Sequence, residues 1–165
     1  MLSFQTMSGD AVANTSTLKV CPLFRGFSDS GILMMSKISR ERSISRDTPI
    51  FVQNMVAESM FVVKMGVVHL SFKTKDGHDK VLEKLAPGDV FGELSLIIGG
   101  QRMVAASAGT DCELLEITRR DFAKLQRQKP QACLKLMLNI VNQFGAKLAA
   151  CRDHLEPLLM SQIRE

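Results

Sequence analysis

Glu93 and Arg102 stand nine positions apart, with Gly92 directly before the glutamate. Together these three have the chemistry to hold a small anion with a hydroxyl beside it. Gly92 lets the backbone approach a ligand without a side-chain clash. Glu93, Leu94 and Ser95 can form a short helical turn whose free N–H groups face an anion. Arg102 supplies a planar fork of donors matched to phosphate oxygens, and Glu93 can accept a hydrogen bond from a neighbouring hydroxyl. Phe91, Met103 and Val104 flank these residues and complete the candidate site. The plainer alternative is a surface ion pair between Glu93 and Arg102, which composition leaves open.

Such a site needs elements to hold it. Residues 1–18 are small and polar without periodicity and read as a flexible leader. Residues 19–165 then form one domain, as a chain of 165 residues allows. Ser28-Asp29-Ser30 can cap a helix over 29–39, with Ile32, Leu33, Met35 and Ile38 as its apolar residues. From about 43 to 117 the pattern becomes short apolar runs (50–53, 60–64, 67–73, 81–85, 102–107, 112–117) separated by turn residues, the mark of an all-β sandwich or barrel. Asp76-Gly77 is a hairpin signal between two of them.

Thr118 can cap a short helix over 119–127, and Pro130 suits the first position of another. That long C-terminal helix is expected over about 131–155, ended or kinked by Pro157. Leu134, Met137, Val141, Phe144, Leu148, Cys151 and Leu155 alternate three and four apart, an a/d seam for a partner helix. Leu136, Leu138 and Ile140 lie off that seam and imply a second buried face. The expected class is mainly β with flanking helices.

Composition narrows the function. Hydrophobic residues make up 45% and charged residues 23% of the chain, as in soluble globular proteins. The formal charge of +4 is mild, and Arg119-Arg120 is too short for a nucleic-acid arm. Cys21, Cys112, Cys133 and Cys151 form no CxxC pair and have no histidine at metal-ligand spacing, so they read as reduced structural thiols without metal, in a cytoplasmic protein. His69, His78 and His154 are isolated, and there is no GxSxG or P-loop, which argues against an enzyme. There is no signal peptide and no apolar run near the roughly 20 residues of a membrane span.

The ordered run Pro87-Gly88-Asp89-Val90-Phe91-Gly92-Glu93-Leu94-Ser95-Leu96, followed by Gln101-Arg102, resembles the cassette of the cyclic-nucleotide-binding family, PGDxFGELALxxxxxR. Gly66 after Val63-Lys64-Met65 and the run Leu115-Glu116-Ile117-Thr118-Arg119-Arg120-Asp121-Phe122 fit it too. The likeness covers roughly residues 22–155. It implies an antiparallel β-roll (a double-stranded jelly-roll) with an N-terminal helix and two C-terminal helices. It also implies that Arg102 takes the cyclic phosphate and Glu93 the ribose 2′-hydroxyl, that Gly92 gives close approach, and that the backbone of Leu94, Ser95 and Met103 assists.

The chain departs from the family at Asp47 and Asn54, where the family usually has glycine; both types tolerate left-handed backbone. Met103 replaces the threonine of cGMP-preferring members, which favours cAMP over cGMP. Lys147 and Leu148 replace the catabolite activator's base-reading Thr-Ser pair. Phe144, Lys147, Leu148 and Cys151 are candidates for a lid over the base, and the same residues serve the seam. The resemblance therefore implies a cAMP sensor without cofactor or metal, signalling through its C-terminal helix, homodimeric through that helix, and passing its signal to an effector protein. The chain stops at Glu165, so no DNA-reading helix and no direct DNA binding is expected. The alternative is a degenerate fold used for dimerisation or protein interaction without ligand.

Overall fold

The computed structural model describes residues 9–162. The chain begins with helix α1 (Gly9–Val20), a short 3-10 turn (Pro22–Phe24) and helix α2 (Asp29–Ile38). Eight strands follow: β1 (Ser39–Ile44), β2 (Pro49–Phe51), β3 (Ser59–Met65), β4 (Val68–Lys73), β5 (Asp79–Leu85), β6 (Val90–Phe91), β7 (Ala105–Ala108) and β8 (Cys112–Thr118). Helices α3 (Arg119–Gln128), α4 (Pro130–Ala150) and α5 (Arg152–Gln162) complete it. The strands make two antiparallel four-stranded sheets, ordered β1-β8-β3-β6 and β2-β7-β4-β5. This is the expected mainly-β roll with flanking helices.

The inner strands of the first sheet, β3 and β8, are covered on both faces, which explains the unbroken apolar run in β3. Met60, Val62, Leu115 and Ile117 face the helices and join the core containing Met35, Leu136 and Ile140. Phe61, Val63, Leu114 and Cys112 face into the roll and join Phe51, Val68, Leu85 and Phe91. Alternate residues of one strand thus feed two cores. β5 is a sheet edge whose charged residues stay in water, as edge strands require.

The local signals that depend on single residues are present. Ser28 Oγ accepts from the Gly31 N–H at 3.2 Å to cap α2, and Thr118 Oγ1 accepts from the Asp121 N–H at 3.1 Å to cap α3. Asp47 and Asn54 take left-handed backbone, with φ of 61° and 67°. The 74–78 hairpin turn closes with Gly77 at φ 82°.

Three expectations need correction. Residues 1–8 of the expected leader lie outside the described residues, but 9–18 belong to α1, not to a flexible arm. Leu18 is fully buried beside Cys21 and Ile32, and Lys19 pairs with Asp29 at 2.8 Å. The helix is built of Ala, Ser, Thr and Asn, whose small side chains leave little periodic signal even when one leucine anchors them.

Second, the helix expected over 131–155 is two helices. It stops at Ala150, and the Cys151 N–H bonds to the Lys147 and Leu148 carbonyls at 3.1 Å. Pro157 therefore lies inside α5 and does not end the helix. It sits just past the first turn, where its missing N–H forfeits one intrahelical bond. Third, Cys151 is exposed at this break, whereas Cys21, Cys112 and Cys133 are buried. Burial pushes the Cys21 thiol up to about 11 and raises Cys133 as well.

Helix α4 has a core face and an open face, but two residues change sides: Leu138, expected on the buried face, is 55% exposed, and Met137, expected on the seam, packs against the core. Cys133, Leu136 and Ile140 are buried on the core, while Leu134, Leu138, Val141, Phe144 and Leu148 are exposed. Asn139 Nδ2 donates to the Leu23 carbonyl at 2.7 Å and fastens the helix to the turn before α2. Among the described residues no helix is long and apolar enough to cross a membrane, and no cluster of His, Cys, Asp or Glu is arranged to hold a metal ion.

Gly66 links β3 to β4 at φ 88°, and a Cβ there would run into the Asp111 carbonyl and the Cys112 sulfur. Gly77 has a similar φ but no atom within 4 Å of that position. Gly77→Ala should thus lose only the backbone strain, about 1 kcal/mol, whereas Gly66→Ala should lose at least about twice that, because backbone must also move. Urea unfolding of the two variants checks the order.

Candidate functional site

The site is built where β6 meets a turn. Asp89 Oδ2 accepts from the Ala86 N–H at 2.7 Å, and the Gly88 N–H bonds to the Val63 carbonyl at 2.8 Å, so the turn into β6 is tied to β3. Phe91 then pairs across to Phe61, and the two rings stack 5.1 Å apart. Gly92 follows at φ 72° and opens the 3-10 turn Glu93–Leu96. The Ser95 N–H is taken by the Gly92 carbonyl at 3.1 Å. Those of Glu93 and Leu94 precede any intrahelical acceptor and stay available, as at the start of any helix.

Arg102 lies under this turn with only 7% of its surface exposed. One terminal nitrogen, Nη2, donates to the Ser59 carbonyl at 2.6 Å. The guanidinium carbon stands 4.0 Å from the centroid of the Phe51 ring. The other, Nη1, occupies space that a side chain on Gly92 would need. Nε is buried and has no hydrogen-bond partner among the described residues. Burial pulls Arg102 below the ordinary guanidinium value, and the charges of Glu116 and Glu93 pull it back up. Among the described residues Arg102 and Glu93 form no ion pair with each other, so the plain surface pair is not what the fold makes of them.

A cavity of about 270 Å³ opens beside Arg102. Phe91, Gly92, Glu93 and Leu94 line it together with Arg102, Met103 and Val104. The site is mostly apolar with a few converging polar groups, the usual character of a ligand pocket.

Ser95 differs from expectation: it is buried, its hydroxyl donates to the Ser59 and Gly92 carbonyls at 2.9 and 2.6 Å, and it does not line the cavity. With its N–H and O–H both engaged, it props the turn from below and offers neither to a ligand. Of the four lid candidates, only Lys147 reaches the cavity, with Nζ 4.0 Å from Glu83 Oε2 on β5. Phe144, Leu148 and Cys151 are exposed and do not line it.

Phe51, Ala57 and Leu70 also line the cavity and were not among the sequence candidates. Their strands are distant in sequence, and only inward alternation in β2 and β4 hints at them. Ile98, Gly99 and Gln101 belong to the loop already singled out and simply extend it.

An anion-ready turn, a buried arginine and an acceptor glutamate around one cavity of an antiparallel roll define a ligand-binding module for a small phosphate ester. The chain belongs to the cyclic nucleotide-binding domain family, whose pattern it matches over residues 41–129. It is 33% identical over 113 residues, 68% of the chain, to the cyclic AMP receptor protein of Thermus thermophilus. It is 25% identical over 123 residues, 74% of the chain, to a cGMP-dependent 3′,5′-cGMP phosphodiesterase A of Dictyostelium discoideum. The crystal structure of the Thermus thermophilus catabolite activator protein superposes with a TM-score of 0.74 at 29% identity, covering 83% of this chain and 62% of that one. The chain spans 52% of the length of the Thermus receptor and 14% of the phosphodiesterase.

Proposed function

We propose that the chain is a regulatory domain that binds cAMP in the cavity beside Arg102 and transmits occupancy through α4. The observation that carries this reading is Arg102, a buried guanidinium lining the same cavity as Gly92 and Glu93, with its Nε unpartnered among the described residues. A guanidinium carries five N–H donors, and those not held by the Ser59 carbonyl suit a phosphate oxygen. Glu93 then accepts from the ribose 2′-hydroxyl. The domain binds and does not catalyse, and it works in the cytoplasm.

The preference for cAMP rests on Met103, which stands 79% exposed at the cavity rim and has no hydroxyl to donate to guanine. One observation favours cGMP instead. Lys147 brings ammonium donors to the mouth, and guanine offers the paired acceptors O6 and N7 where adenine has N7 and a donor amine.

For signalling, Lys147 ties the end of α4 to the roll. It lines the cavity and also pairs with Glu83 on β5, so an occupant that draws on Lys147 changes what holds the helix end. The ligand moves the helix only by as much as its affinity differs between the two helix positions. A second copy of the chain covers the exposed stripe of α4, where Leu138 and Val141 are 55% and 59% exposed at helical spacing.

Isothermal titration with cAMP and cGMP tests the reading: heat with cAMP, and weaker binding of cGMP and of 2′-deoxy-cAMP, are expected. Arg102→Ala should cost about 2 kcal/mol, roughly 30-fold in affinity, through loss of charge-assisted contacts. Arg102→Lys keeps the charge but not the fork and should fall between. Silence with both nucleotides in the intact chain would leave an interaction module in place of a sensor. For the dimer, Leu138→Glu should shift sedimentation from dimer to monomer without lowering Tm, since that side chain is in water in the single chain.

A further inference from the structure

Beside the nucleotide cavity lies a second and larger one, of about 830 Å³, and the two share Phe51, Ala57 and Arg102. Arg40, Arg42, Arg119 and Arg120 join Arg102 in lining it, against two carboxylates, Glu58 and Glu116. The sheet register brings these charges together: Arg40 stands opposite Glu116, and Glu116 opposite Phe61. Arg42 pairs with Glu116 at 3.0 Å and Arg40 with Asp121 at 2.8 Å. Arg119 and Arg120 have no ion pair among the described residues, so the groove keeps an excess of positive charge.

Its rim is apolar on one side. Met55 and Val56, in the loop between β2 and β3, are 53% and 65% exposed. That loop is bonded to the cassette by backbone. Asn54 N–H donates to the Arg102 carbonyl at 2.8 Å, Arg102 N–H to the Met55 carbonyl at 2.7 Å, and Ala57 N–H to the Gly100 carbonyl at 2.9 Å. The Arg119 guanidinium lies against Gly99, in the space a Cβ would take.

We propose that this groove docks an acidic segment of a partner protein, anchored by an apolar side chain on Met55 and Val56. The unpaired arginines select carboxylates. Glu58 and Glu116 oppose a uniform polyanion such as a nucleic-acid backbone, and the exposed apolar rim leaves water only for an apolar side chain. A segment seated there rests on the same backbone that carries Arg102.

The test uses the intact chain without nucleotide, so its outcome is independent of cyclic-nucleotide binding. The isotope-labelled protein is titrated with a capped Glu-Leu-Glu-Glu-Leu-Glu peptide and followed by amide chemical shifts. Parallel titrations use the Lys-for-Glu peptide and inorganic tripolyphosphate. The acidic peptide should shift the amides of Met55, Val56, Arg119 and Arg120, and the Lys peptide should not. Arg120→Glu combined with Val56→Asp, both exposed and outside the nucleotide cavity, should weaken the acidic peptide at least tenfold with Tm unchanged. Shifts that map elsewhere, or that survive the double variant, overturn the proposal. So does tripolyphosphate shifting the same amides as strongly, which assigns the groove to small polyanions.

Discussion

The site hangs on one buried charge. A guanidinium in a protein interior is costly unless its donors are met. Arg102 is held by the Ser59 carbonyl on one side and the Phe51 ring on another, contacts that each return part of that cost. Gly92 must lack a side chain because Arg102 fills the space. Ser95 must be small and hydroxylated because it shares the Ser59 carbonyl with Arg102. With its position fixed and donors to spare, the arginine is set before a ligand arrives, so little ordering is lost on binding.

The doubly buried strand β3 connects that charge to the rest of the molecule. β3 carries Phe61 into the roll and Met60 and Val62 toward the helices, so the aromatic cluster around Arg102 and the helical core are two sides of one strand. Interiors this close-packed transmit displacement and do not absorb it. Helix α4 is fixed at its start by Cys133, Leu136 and Ile140 and near its end touches the roll through the Lys147–Glu83 pair. It is therefore packed on the core through its first half and tied to the roll near its end by an exposed side-chain pair.

Where sequence reading fell short, nonlocal packing made the difference. α1 has almost no apolar pattern, and its helix rests on the burial of Leu18 and on the pairing of Lys19 with Asp29. β1 reads Ser-Arg-Glu-Arg-Ser-Ile and carries charge as an edge strand can; only its pairing along β8 makes it a strand. The heptad from Leu134 to Leu155 ran through the break at Cys151 because periodicity does not register where a helix loses its support.

The sequence by itself determined what depends on a few adjacent bonds. The caps at Ser28 and Thr118, the left-handed turns at Asp47, Asn54 and Gly77, the alternation of the strands and the spacing of Gly92, Glu93 and Arg102 all follow from φ preference and period. These were enough to point to the family and to Gly92, Glu93 and Arg102, which the fold gathers around one cavity. Only the tertiary structure decided which groups surround Arg102, since Ser59 is 43 positions away in the chain and Phe51 lies on another sheet. It likewise decided that Ser95 supports the turn from beneath, that Lys147 alone among the lid candidates reaches the cavity, and that four further arginines gather beside it. Each of those outcomes depends on strand register and helix placement, which are set by the packing of two cores at once and not by any local pattern.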